Sequence, residues 1–424
     1  MDRGVTGGRY RQTVGWLALL GLCIVLLGCG QPIVTGAYDA GGQGNAAPAP
    51  ATPIGSTVPS APTVTADRPH LRLAHLITAT TGWALTDQQL RWTTDAGSTW
   101  ATITPPGVQA DRLLGVAFPD TLHGWVVAAG LPDTAQQTGL VVLRSADGGK
   151  TWQEGALAAP SGAYTSVPDG RVAIDFVDAQ HGWIVVRLAS SSNFSRGELF
   201  RTVDGGANWQ RGAIPIGDPV HFVTATDGWT AGGAGGNQLY ATHDGGQSWV
   251  PQSLALPEVF AGRQPTYAVP TFVDRQTGIL PVTLAADDAL ASAIVFYVTR
   301  DSGRSWVPSL TLGDEGRYGV GVPAQTQVVD ANTWLTVHPG GQHVVVTRDG
   351  GRSTQTRTPA NMPNSVTGVT FASENNGWMW GTRSQCGTPP PPGSTPPAKA
   401  VCHTTPVELL RTADGGQSWV PLAP

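Results

Sequence analysis

Seven aspartates recur along the chain at a period of roughly 50 residues, a spacing typical of repeat architectures. They are Asp95, Asp147, Asp204, Asp244, Asp301, Asp349 and Asp414, in the segments TTDAGSTW, SADGGKTW, TVDGGANW, THDGGQSW, TRDSGRSW, TRDGGRST and TADGGQSW. Carboxylates in a regular series raise the question of glycoside hydrolysis, which uses two carboxyl groups about 5–10 Å apart. The neighbours of each aspartate argue for a turn instead. Asp flanked by Ser or Thr accepts backbone N–H groups in a tight turn, and the following Gly supplies a positive φ without steric cost. All seven are read as structural.

The remaining chemistry-bearing residues form no convincing constellation. Asp175, Asp287, Asp288, Asp314 and Glu315 show no pairing by spacing. His123 and His181 precede Gly-Trp in equivalent places of two repeats, which reads as repeat structure. His338 and His343 flank a Pro-Gly-Gly turn and read as a solvated loop rather than a metal pair. No metal and no cofactor are expected.

The elements that carry these residues are short strands. Upstream of each turn lies Gly-Trp: Gly82-Trp83, Gly124-Trp125, Gly182-Trp183, Gly228-Trp229 and Gly377-Trp378, weakened to Gly278-Ile279 and Thr333-Trp334 in the fifth and sixth units. Before that comes an apolar run, often closing on Phe, as at Phe118, Phe176 and Phe371. Short β-branched and aromatic runs punctuated by Gly, Asn and Asp are hairpin signals, and helical periodicity is missing. The spacing predicts an all-β chain, a single seven-bladed β-propeller of four-stranded blades. Of the 15 Trp in the chain, the turns and the Gly-Trp pairs take all but Trp16, Trp92 and Trp380, so the tryptophans are read as packing. The sixth unit lacks both the Gly before Trp334 and the turn Trp, and is expected to be the weakest blade.

Composition bounds the compartment. Residues 1–28 read as a signal peptide: Arg3, Arg9 and Arg11, then an apolar stretch too short to span a bilayer as a helix. The stretch ends Leu26-Leu27-Gly28-Cys29, which resembles a bacterial lipobox and implies a lipidated Cys29. Residues 29–69 are Gly, Ala, Pro, Ser and Thr in bulk, a flexible tether with a reach of about 35 Å. Residues 70–424 are assigned to the propeller. Cys386 and Cys402 bracket a Pro-rich insertion in the last unit and, in an exported chain, suggest a disulfide; such a closure contributes about 3 kcal/mol. The formal net charge is −5 with no basic cluster, so nucleic acid is excluded as a partner. The expected protein is a monomer on the outer face of a bacterial membrane.

The combined pattern of FVDAQHGW (Phe176 to Trp183) followed by TVDGGANW, and of FPDTLHGW followed by SADGGKTW, resembles the photosystem II stability/assembly-factor-like propellers with Asp-box (bacterial neuraminidase-type) repeats. The resemblance covers residues from about His70 to Pro424. It implies a seven-bladed scaffold without catalysis, with a photosynthetic role in some members only. Sialidases share the box but carry an Arg-Ile-Pro segment, and this chain has Ala213-Ile214-Pro215 instead. Xyloglucanase-type hydrolases use similar repeats with a cleft between two propellers, and one propeller offers no such cleft. A protein-binding or assembly scaffold at the envelope is therefore expected, with a carbohydrate-binding module or glycoside hydrolase as the alternative.

Connectivity suggests where a partner binds. In an up-and-down blade the first-to-second and third-to-fourth turns share a face, and they hold the repeats. The second-to-third loops and the blade-to-blade crossings lie opposite and hold the length variation. Loops on a rigid scaffold concentrate function, and Tyr and Arg are favoured at hot spots. The expected binding residues there are Tyr164, Phe194, Arg196, Phe260, Arg263, Tyr267, Arg317 and Tyr318.

Overall fold

The computed structural model describes residues 69–129, 139–157, 172–188, 194–285, 292–313, 325–337, 343–360, 362–386, 402–404 and 407–424. Cys29, the tether, Tyr164, Arg317, Tyr318, Asp287, Asp288, Asp314, Glu315 and His338 lie outside them.

Seven antiparallel sheets are built from consecutive stretches of chain: residues 71–102, 113–156, 172–212, 220–251, 265–313, 325–357 and 365–422, numbered here as blades 1 to 7. Strand order follows chain order in every blade, and blade 5 gains a fifth short strand, Thr271–Phe272. The first strands of blades 2 and 3, 3 and 4, and 6 and 7 touch one another, and Leu71–Leu76 of blade 1 meets Ser365–Phe371 of blade 7, which closes the ring. The seven-bladed propeller expected from the repeats is the observed fold. Among the described residues the only helical elements are two single-turn 3-10 segments, Ala110–Arg112 and Glu258–Phe260. Each blade comes from one contiguous segment, so ring closure rests on side-chain packing. Trp378 of blade 7 lies 5.5 Å from Trp100 of blade 1, in a cluster with Leu71, Ala74 and Leu76.

The Gly-Trp and Phe residues are what join the blades. In register, Gly182 stands opposite both Phe176 and Thr202, and Trp183 stands opposite Asp175. Adjacent strand residues point to opposite faces. The glycine therefore looks back into its own blade's Phe, and the Trp looks forward to the next blade. A Cβ on Gly182 would lie 2.3 Å from the Phe176 ring, so only glycine fits beneath it. The forward Trp stacks on the next Phe: Trp125 on Phe176 at 3.6 Å, Trp183 on Phe222 at 3.5 Å, and Trp229 on Phe272 at 4.3 Å between centroids. The turn Trp then meets the same Phe edge-on, as Trp209 does Phe176 at 6.0 Å and Trp249 does Phe222 at 6.2 Å. Stacked and edge-to-face pairs of this kind contribute about 0.5–1.5 kcal/mol each beyond the area they bury.

Blade 6 departs from the expected alignment. Trp334 stands opposite Val328 and Thr347, which places it in the glycine column rather than the tryptophan column. Its ring points back toward blade 5, 5.8 Å from Phe296 and nearly parallel to it. A Cβ on Gly351 would meet the Trp334 ring at 2.9 Å, where in blade 3 the equivalent Gly206 meets the turn Trp209. One buried tryptophan thus fills the space that Phe and the turn Trp fill elsewhere. Val328 and Thr354 leave room for it.

Candidate functional site

Every blade ties its two repeated turns together. Gly205 N donates to Gln180 O at 2.9 Å, Gly245 N to Thr226 O at 2.9 Å, and Gly415 N to Asn375 O at 3.0 Å, with equivalents in the other four blades. The first-to-second and third-to-fourth turns are therefore neighbours on one face, and the described parts of the variable loops, such as residues 194–195 and 252–264, belong to the opposite ends of their strands.

Within each turn the aspartate is fully engaged. Thr93 Oγ1 donates to Asp95 Oδ1 at 2.8 Å, Gly97 N donates to Thr93 Oγ1 at 2.9 Å, and Thr99 donates through its N and Oγ1 to the two carboxylate oxygens at 2.8 and 2.6 Å. Asp147, Asp204, Asp244, Asp301, Asp349 and Asp414 repeat this arrangement. The residue after Asp takes a left-handed φ in all seven, and Ala96 (φ 59°) and Ser302 (φ 62°) adopt it without being glycine.

These bonds set the acidity. Hydroxyl donation from Thr99, Thr151, Ser305 and Ser353 leads in holding Asp95, Asp147, Asp301 and Asp349 down to about 2. At Asp244 and Asp414 burial pushes upward as the largest single influence. The hydrogen bonds from Ser248 and Ser418, with those of their turns, outweigh it and bring both to about 2. A general acid in glycoside hydrolysis needs a raised pKa so that it is protonated when the leaving group departs. Carboxylates held near 2 stay ionised and cannot supply that proton.

Asp175 is also occupied. Its Oδ2 accepts from Phe222 N at 2.7 Å, and its Oδ1 lies 3.6 Å from His221 Nδ1, joining the first strands of blades 3 and 4. Burial among those strands pulls the His221 imidazole down, and the Asp175 charge outweighs it, leaving the pKa raised. His123 and His181 pair with Asp120 and Asp178 in their own turns at 2.8 and 3.0 Å. Among the described residues no three metal-ligating side chains converge.

On the turn face a cleft of about 390 Å³ opens between blades 2 and 3, lined by Trp125, Arg144, Gln153, Gln180 and Asp204 among others. Arg144 pairs in register with Trp125, as Arg201 does with Trp183 in the next blade. Arg201 reaches Gln210 Oε1 at 3.1 Å and Asp244 O at 3.5 Å, which closes its cleft more tightly.

On the opposite face the seam between blades 3 and 4 is pinned by Asp218, which is buried. It accepts from Arg187 Nη1 at 2.9 Å, Ser195 Oγ at 2.7 Å and Gly233 N at 2.9 Å. Beside it Phe194 is 63% exposed and Arg196 is exposed. Sequence reading missed Asp218. An Asp-Pro pair in a crossing that otherwise carries Gly and Ile was its only signal.

Two expected surface residues are corrected. Phe260 and Tyr267 are buried, in the core cluster that holds Trp229, Leu280 and Tyr297. The crossing into blade 5 folds inward: Leu254 and Leu256 pack on that cluster, and Tyr267 belongs to the strand Pro265–Tyr267. Its run of apolar residues was the available signal. Arg263 stacks on Phe260 at 5.6 Å and is half-buried. Phe194 and Arg196 are the expected binding residues that the structure places on the surface. The hairpin Ser384–Cys386 with Cys402–Thr404 sets Cys386 directly opposite Cys402 in register.

No family model matches the chain. It is 29% identical over 140 residues to the photosystem II assembly lipoprotein Ycf48 of Synechococcus sp. (strain CC9902), a match that spans 32% of this chain and about a third (35%) of that protein. The resemblance drawn from the repeats thus has a homologue behind it. Among solved structures, YCF48 bound to a D1 peptide superposes with a TM-score of 0.50 at 17% identity, covering 82% of this chain and 94% of that one. A GH74 xyloglucanase from Xanthomonas campestris superposes with a TM-score of 0.53 at 14% identity, and this chain spans 83% of its own length and 54% of that enzyme's. At these identities the two structures share the fold.

Proposed function

We propose that this chain is an exported, lipid-anchored propeller that holds a protein partner on its variable-loop face and performs no catalysis. The observation that carries the absence of catalysis is geometric: all seven turn carboxylates are engaged by donors of their own turns, through both oxygens. The homologous assembly lipoprotein and the propeller solved with a bound peptide support a scaffold that handles polypeptide. Photosystem components are not assigned as the partner. Cys29 carries the lipid and residues 29–69 the tether in this reading. The Cys386–Cys402 bond holds the hairpin of the last blade, in keeping with their cross-strand register.

Phe194 and Arg196 form the contact, because the Asp218 hydrogen bonds hold their loop to two blades at once. Photo-crosslinking amino acids placed at Phe194 and Arg196, and separately at Lys150 and Gln417 on the turn face, test the assignment in native membranes. A discrete protein adduct from the first pair alone is expected. Adducts from the turn face alone would overturn it. The second reading, a carbohydrate-binding or hydrolytic propeller, rests on the xyloglucanase fold match. It gains ground if the protein is retained on immobilised xyloglucan and no adduct forms.

A further inference from the structure

The seven outer strands are not equivalent at their free edges. Six are two to four residues long: Ala101–Thr102, Gln153–Ala156, Gln210–Gly212, Val250–Pro251, Gln355–Arg357 and Val420–Leu422. Three of these carry a charge, at Glu154, Arg211 and Arg357, and two carry a proline, at Pro251 and Pro421. Short length, charge and proline are the devices by which edge strands avoid pairing with other chains.

Blade 5 lacks most of this protection. Its outer strand, Val307–Gly313, runs seven residues as VPSLTLG and carries no charge. Pro308 and a bulge at Ser309 interrupt only the end near the turn, where the register shifts opposite Phe296 and Tyr297. Beyond them Leu310, Thr311, Leu312 and Gly313 pair regularly with Phe296, Val295, Ile294 and Ala293. Among the described residues nothing pairs with the outward side of this stretch. Leu310 and Leu312 are half-buried and pack on the core between blades 5 and 6, while Thr311 between them is exposed.

We infer that the free edge of Leu310–Gly313 is a second docking site, which takes an extended, uncharged segment of a partner protein as an added strand. The backbone supplies the hydrogen bonds, and alternate side chains supply the selectivity. On one face an added strand continues the Leu310 and Leu312 stripe and needs an apolar residue at every second position. On the other face it meets Thr311 and accepts small polar residues. A second copy of the propeller is the poorer occupant. A stable interface between globular partners buries about 1,200–2,000 Å² in total, and pairing along four residues, about 13 Å of strand, does not by itself bring two propellers together over that area.

The probe is a short fluorescein-labelled peptide of alternating Thr and Val, capped at both ends, with a control in which the central Val is Pro. The full chain is expected to bind the first and not the control, and the amide exchange of Leu310–Gly313 is expected to slow by about tenfold. Thr311→Lys puts a charge on the exposed edge and is expected to weaken peptide binding by about tenfold or more at an unchanged melting temperature. Thr311→Ser is expected to leave binding as it was. Equal binding by wild type and Thr311→Lys, or slowed exchange at another edge, overturns the site. A wild-type dimer in sedimentation that Thr311→Lys converts to monomer makes a second copy the occupant and overturns the peptide assignment. None of these outcomes bears on Phe194 or Arg196.

Discussion

In blade 3 the space over Gly182 is filled by Phe176 from the same blade, closed edge-on by Trp209, and covered by Trp125 arriving from blade 2. In blade 6 the same space is filled by Trp334 standing in the glycine column, with Val328 where Phe would be and Thr354 where the turn Trp would be. From blade 5 the covering residue is Ile279 rather than Trp. Four departures from the repeat therefore compensate one another within a single volume. Close-packed interiors respond to volume, and cores tolerate changed residues when the total is kept. The repeat is a packing solution at the seams between blades, and a blade that looks damaged by motif is filled by another route.

The column assignment can be broken by making blade 6 look more like the motif. Trp334→Gly restores the glycine of Gly-Trp on paper, yet it empties a volume that neither Val328 nor Thr354 can refill. Loss of a buried Trp costs about 3–5 kcal/mol, and glycine within a strand adds roughly 0.5–1 kcal/mol. Chemical denaturation should show a destabilisation of at least that lower figure, and a neutral or stabilising result would return Trp334 to the tryptophan column.

Thr333→Gly sharpens the same comparison at smaller scale. If Thr333-Trp334 were a weakened Gly-Trp, this change would repair it and raise stability. In the structure Thr333 is the residue before the glycine column, buried, with its N–H on Asp330 Oδ1 at 2.8 Å. The expected outcome is a loss of about 0.5–1 kcal/mol from added backbone freedom, read from the denaturation midpoint.

The architecture was largely legible in the sequence, because each column has a packing reason that forces its residue type. Gly182 must lack a Cβ, Trp183 must reach the next blade, and Asp204 must close its turn. Pairing Thr333-Trp334 with the Gly-Trp of the other units shifts blade 6 by one position, because a Trp follows the turn there in a different column. Aligning Asp330 with Asp178 instead, since both cap the same turn, would have put Trp334 in the glycine column. The candidate binding face was legible only as a side of the disc. Phe260 and Tyr267 are aromatic for the core, while Phe194 is aromatic and exposed. That difference depends on how the crossing before blade 5 folds inward over Trp229, and the apolar run through Leu254, Leu256 and Phe260 is the sequence's one sign of it.

The repeated carboxylates are closed inside their own turns, and the proposal that they do no chemistry can be put to substrate. Turnover of xyloglucan oligosaccharides and sialosides by the purified chain, followed by release of reducing sugar, tests it most directly. Release no faster than in buffer alone is expected. Hydrolysis that is lost on replacing individual aspartates by asparagine, in variants that melt like the wild type, would contradict it.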